Sequence, residues 1–199
     1  MPREPLTAIV KWTRRALFGG GVLVLAYCGW VVADAWQYQR SMGAEFDLPV
    51  AAIPVSARKA PEVFADGLIG RLEIPRLELT AMVMEGTSHT TLRRSVGHIA
   101  GTALPGETGN VGVSGHRDTF FRPLRKIQLG DTIAMTTRNG AFEYRVVGTK
   151  IVRPSDVSVL AAGDGEALTL VTCYPFYFVG AAPFRFIVRA ERVTQDGAH

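Results

Sequence analysis

Three side chains in this sequence have types that together could carry out acyl transfer: Cys173, His116 and Arg185. The thiolate is the nucleophile, and a free cysteine with a pKa near ~8.5 is only slightly ionised at neutral pH. A neighbouring imidazole can take the thiol proton and later return it to a leaving group. A guanidinium can hold the oxyanion of a tetrahedral intermediate, where one well-placed donor is worth ~3–4 kcal/mol. Each residue also has an ordinary reading. A cysteine in an apolar strand is often a small buried hydrophobe. A histidine after Ser-Gly is often a turn residue, and a strand arginine is often a solvated charge.

Strand periodicity decides which of these side chains can share a face. In the run Leu-Thr-Leu-Val-Thr-Cys ending at Cys173, the cysteine follows Thr169 and Val171. In residues 184–190, Phe184, Phe186, Val188 and Ala190 form an apolar face, so Arg185 and Arg189 point the other way. In residues 111–116, Val111 and Val113 share one face and His116 lies on the other, at the strand's end. Tyr174-Pro175 ends the ladder behind Cys173 and places the sulfur at a rim.

The elements around these residues read as mostly β. Strand-like runs cover 68–72, 77–84, 110–116, 132–138, 142–151, 167–173 and 184–190. Pro105-Gly106 marks a turn, Asn139-Gly140 reads as a type I′ hairpin turn, and 90–95 suits a short helix capped by Ser88 or Thr90. Six to eight short strands favour a closed or nearly closed β-barrel.

Other motifs fail on inspection. Gly112-Val-Ser-Gly-His116 has histidine where a hydrolase nucleophile elbow needs its second glycine. His116-Arg117-Asp118 echoes the kinase catalytic loop, but Pro123 stands where that loop needs asparagine. Two cysteines and no HExxH pattern argue against zinc. Glu85, Glu107 and Asp118 could bind calcium weakly, although their spacing is not that of an EF-hand. His89 and His98 lie in a polar stretch, and His199 is the last residue.

The 199 residues, 47% hydrophobic and 20% charged, suit one globular domain and exclude a disordered, collagen-like or repeat chain. Of the net charge of +4, most comes from residues 1–15, which hold Arg3, Lys11, Arg14 and Arg15 against Glu4. A short basic tail is not a nucleic-acid footprint. The 18 residues 16–33 carry no charge and as a helix span ~27 Å, close to a ~30 Å hydrocarbon core. Trp12 precedes the run, Trp30 and Trp36 mark its far end, and the basic side is expected to stay in the cytoplasm. A cleaved signal peptide is the alternative, supported by Ala33-Asp34-Ala35; the run exceeds the usual h-region. The expected organisation is a tail at 1–15, a transmembrane anchor at 16–36, a linker at 37–66 and a catalytic domain at 67–195. Cys28 falls inside the apolar span, which leaves Cys173 a free thiol in an oxidising compartment.

At these residues the sequence resembles the sortases. Leu170-Val-Thr-Cys173 resembles their Leu-x-Thr-Cys signature, and Gly115-His-Arg-Asp-Thr-Phe-Phe121 resembles their histidine segment. Arg185, twelve residues beyond Cys173, matches the arginine of the next strand. The string from Thr172 to Phe176, with Gly180 and Ala182-Pro183, looks most like class D. Phe176, Tyr177 and Phe178 make the short segment 175–183 aromatic, a departure from better-known classes.

The resemblance implies an eight-stranded sortase β-barrel with short helices behind one N-terminal transmembrane helix. It also implies a transpeptidase that cuts an LPxTG-like sorting signal after threonine. In that reading Cys173 is the nucleophile, His116 the general acid and base, and Arg185 the oxyanion or substrate stabiliser, while Thr172 helps to position the substrate. No cofactor is implied. The implied partners are secreted proteins with C-terminal sorting signals, and an amine acceptor such as a peptidoglycan precursor or a pilin lysine. The same residues leave open a thiol endopeptidase and a non-catalytic envelope-binding domain.

Overall fold

The computed structural model describes residues 4–46, 67–178 and 180–193. It divides into two compact units, residues 1–38 and 39–199. Helix α1 (Glu4–Phe46), most of which makes up the first unit, starts with Pro5 in its first turn, where a missing N–H costs nothing, and meets no further proline before its end. The helix runs on through residues 37–46, beyond the expected span of 16–36; the rest of the expected linker, 47–66, lies outside the described residues. The stretch Ile9–Gly43 is long and apolar enough to cross a membrane, with none of its most apolar part buried in the protein. Its 35 residues reach ~52 Å, more than a ~30 Å hydrocarbon core requires.

The second unit contains eight strands: β1 (Leu68–Ile74), β2 (Leu79–Glu85), β3 (Val96–His98), β4 (Gly109–Ser114), β5 (Thr132–Thr137), β6 (Gly140–Val152), β7 (Glu166–Tyr174) and β8 (Phe184–Arg192). They close into a barrel in the order β1-β2-β3-β4-β7-β8-β6-β5. Closure leaves no unpaired sheet edge. Alternate residues fill the interior, among them Leu72, Ile74, Val83, Val113, Ile133, Met135, Tyr144, Leu168, Leu170 and Val188. Short helix α2 (His89–Arg94) joins β2 to β3, and Ser88 caps it by accepting from the Thr91 amide.

Local differences from the sequence expectation have physical causes. Pro75–Leu77 forms a 3-10 turn, and Glu78 sits in the left-handed region at φ 50°, so the second strand starts at Leu79 rather than residue 77. Strand β3 has only three residues, too few for a period of two to be visible. Thr137 pairs with Gly140, which makes Arg138-Asn139 the turn residues in place of Asn139-Gly140. Neither has a positive φ, so the turn is not type I′, which needs φ > 0 at both. Gly140 takes the positive φ of 145° instead, and the Thr137 hydroxyl accepts from the Asn139 amide.

The topology gathers several connections on one rim. β4 and β7 run parallel, so both end there. β8 is antiparallel to β7 and begins there. The β1–β2 turn and the start of β5 lie on the same rim, tied by Arg76, which donates to Asp131 and so holds that carboxyl below the usual range.

Candidate active site

Cys173 is the penultimate residue of β7, half-buried, on the outer face that Val171 also occupies. Its cross-strand partner is Arg185, the second residue of β8. Directly opposed residues of an antiparallel pair project to the same side. Backbone register thus places the two residues side by side on one face of the sheet. Arg185 Nη1 donates to the carbonyls of Phe184 at 3.1 Å and Ala182 at 3.4 Å.

His116 comes from the parallel neighbour. Ser114 pairs with Val171, so His116, two residues further along, leaves β4 at the rim where Cys173 nears the end of β7. The chain between them is held at both ends of one residue: the Gly115 amide donates to Val171 O at 3.1 Å, and the Gly115 carbonyl accepts from Thr172 Oγ1 at 2.7 Å. A Cβ at Gly115 would lie 2.7 Å from the buried Phe121 ring, which explains glycine at this position. The Phe121 amide donates to the His116 carbonyl at 3.1 Å, and among the described residues the His116 ring itself has no hydrogen-bond partner. Burial pushes the His116 pKa below its ordinary value; His89 lowers it further, and Asp118 opposes both.

The structure brings Cys173, His116 and Arg185 to one rim. It turns Thr172 inward, 2% exposed, with its hydroxyl committed to Gly115, so this side chain fixes the histidine segment rather than offering itself to a bound peptide. Beneath the rim, Tyr174, Phe176 and Phe186 pack ring against ring, with centroids 5.3–6.3 Å apart, and close the barrel mouth. Glu85, Glu107 and Asp118 have separate neighbours: His98, the Leu104 amide and Arg117. No group of three or more metal-binding side chains occurs among the described residues.

Arg117 is a site residue that sequence reasoning left without a part. It is 7% exposed, and its guanidinium donates to the carbonyls of Pro175, Phe178 and Gly180 at 2.9, 2.6 and 3.1 Å. Those groups lie in the β7–β8 loop, and no local pattern around residue 117 announces them.

The closed barrel thus pairs a cysteine and an arginine on adjacent strands and brings a histidine to the same rim from a third. The sortase domain model matches residues 72–193, and the chain belongs to the sortase family. It is 41% identical over 126 residues to Sortase D of Bacillus subtilis (strain 168), a match covering 63% of this chain and 64% of that protein. It is 32% identical over 160 residues to Sortase SrtE1 of Streptomyces coelicolor, covering 70% of this chain and 45% of that one. These matches thus span less than two thirds of both relatives. Among solved structures, the Clostridium perfringens Sortase D5 transpeptidase is 27% identical with a TM-score of 0.63, over 79% of this chain and 97% of that one.

Proposed function

We propose that the chain is a membrane-anchored cysteine transpeptidase that cleaves an LPxTG-like sorting signal after threonine and transfers the new carboxyl end to an amine. The observation that carries this reading is the register pair Cys173–Arg185 with His116 held beside it through Gly115. Cys173 Sγ attacks the threonine carbonyl carbon, and Arg185 stabilises the resulting oxyanion. Collapse of the intermediate breaks the C–N bond; His116 gives a proton to the departing amine and leaves a thioester on Cys173. An incoming amine attacks the thioester, His116 accepts its proton, and the thiolate departs as a new amide forms. Nucleophile, acid–base group and oxyanion donor all come from this chain, so the proposed chemistry calls for no cofactor.

The held-down pKa of His116 supports its part, because a neutral imidazole at neutral pH is ready to take the thiol proton. The basic residues within 1–15, ahead of the apolar run, support a cytoplasmic N-terminus and a barrel outside the membrane. The substrates fitting this reading are exported proteins with C-terminal sorting signals, and the acceptor is an amine of the envelope or of a pilin.

The test is intact-mass spectrometry of the full-length chain in detergent, wild type and Cys173→Ala, with LPxTG-like peptides. The expected result is a peptide adduct on the wild type alone, discharged by triglycine into a ligated product. An adduct that only water discharges would assign the site to hydrolysis. No adduct, together with a thiol that resists alkylation, would overturn the reading in favour of a binding domain.

A further inference from the structure

We propose that Arg117 is a positioning residue that sets peptide selectivity by fixing the β7–β8 loop against the histidine segment; the inference rests on the transpeptidase reading above. A buried guanidinium is costly unless its N–H groups are satisfied. At Arg117 they are satisfied by three carbonyls of one loop, Pro175, Phe178 and Gly180. Among the described residues the loop has one internal backbone bond, from the Phe178 amide to Pro175 O at 3.4 Å. At its two ends Phe176 packs on Tyr174 and Phe186, and Arg185 reaches the Ala182 carbonyl. Between those ends Arg117 supplies the side-chain ties, to Phe178 and Gly180.

Arg117 follows His116 directly, and that segment is anchored to β7 through Gly115 and to the core through Phe121. The same side chain thus joins the acid–base group to the loop that leaves the nucleophile. A second tie repeats the pattern: Arg125 donates to the Tyr177 hydroxyl and lies 5.4 Å over its ring. The loop held in this way presents Tyr177 and Phe178, 76% and 44% exposed, in the connection that leaves Cys173. In this proposal a peptide whose carbonyl sits on the sulfur runs beside these rings. Loop placement then governs which peptides fit, whereas the chemistry of thiol and imidazole does not depend on it.

A lysine ammonium keeps three N–H donors but lacks the reach and planar fork of arginine, so lysine is expected to restore part of the effect. The experiment uses full-length wild type, Arg117→Ala, Arg117→Lys and Tyr177→Ala in detergent. It reads thioester formation across a panel of LPxTG-like peptides, with iodoacetamide alkylation of Cys173 as a readout that needs no peptide groove. Arg117→Ala should raise KM by about tenfold and flatten the preference across the panel, with kcat and alkylation changing by less than about threefold. Arg117→Lys should recover part of the preference, and Tyr177→Ala should show the same trend more weakly.

An unchanged KM and panel profile in folded Arg117→Ala would overturn the proposal. So would parallel loss of kcat, KM and alkylation, which marks plain structural damage. If Arg117→Ala does not fold, an unchanged panel profile in both Arg117→Lys and the exposed-site variant Tyr177→Ala would overturn it equally. A wild type that forms no thioester fails at the earlier step, identifies the transpeptidase reading as the fault, and removes this proposal with it.

Discussion

His98 ends one strand and His116 follows its paired neighbour, and the surroundings of the two differ in nearly every respect. His98 ends β3, is 3% exposed, and has both ring nitrogens occupied. Its Nδ1 lies 2.8 Å from Glu85 Oε2, and its Nε2 lies 3.0 Å from both Ala103 O and Thr102 Oγ1. Because the Thr102 hydroxyl donates to Ile99 O, the Nε2 of His98 must be the donor toward it. His116 stands just beyond β4, half-buried, fixed through its backbone, with a ring that has no partner among the described residues. One ring is spent on holding the structure. The other is held by the structure and left free to exchange a proton.

The two histidines should therefore fail in opposite ways. Cys173→Ala sets the floor, with no thioester detectable by mass spectrometry. His116→Ala should lower thioester formation by about 10²–10⁴, the usual worth of a general acid–base group, with little change in melting temperature. His98→Ala should do the reverse, retaining kcat below its transition while losing about 2 kcal/mol, since Glu85 and Ala103 lose a partner. Calorimetry would register that as a Tm lower by about 5–10 °C.

Arg185→Ala should cost about 10²–10³ in kcat if its guanidinium holds the oxyanion, measured by single-turnover thioester formation. Gly115→Ala sharpens the contrast from the structural side. Its methyl group would press on Phe121, so stability should drop by about 1–3 kcal/mol and the placement of His116 should suffer with it. The check is a combined readout of Tm and alkylation rate, which His98→Ala should separate and Gly115→Ala should move together.

The smallest effect concerns pH. Folding holds the His116 pKa below its ordinary 6.5, chiefly through burial. Between the folded value and the unfolded one, the unfolded chain binds the extra proton, so stability rises with pH through that window and is lost as pH falls. His116→Gln should flatten this acid-side slope in denaturant titrations at stepped pH. His89→Gln should raise the His116 pKa, since its charge contributes to the lowering, and NMR titration of the ring would follow it.

How much of this was readable in the residues follows from the range of the interactions. Cys173 and Arg185 were legible because strand alternation is local and twelve residues suffice for the chain to turn back between them. His116 was legible from its Gly-His-Arg-Asp surroundings at the end of an expected strand over 110–116, although β4 stops at Ser114. His98 read as one more polar residue, because its burial depends on Glu85 across a parallel pair and on the loop at Thr102–Ala103. Arg117 was given no part for the same reason, its carbonyl partners lying in a loop far along the chain. The closed barrel was visible as a count of strands, but the parallel contacts β2–β3 and β4–β7 were not. Pairing across long crossovers leaves no trace in periodicity.

The central claim is that His116, and not its buried neighbour, moves the proton for Cys173. The most direct test is the pH-rate profile of thioester formation by wild type, His116→Ala and His98→Ala, side by side and below the transition of the least stable. The account predicts that His98→Ala keeps the wild-type profile and kcat, while His116→Ala loses rate at every pH together with the limb assigned to its ring. A wild-type profile surviving in His116→Ala, or vanishing in folded His98→Ala, would contradict it.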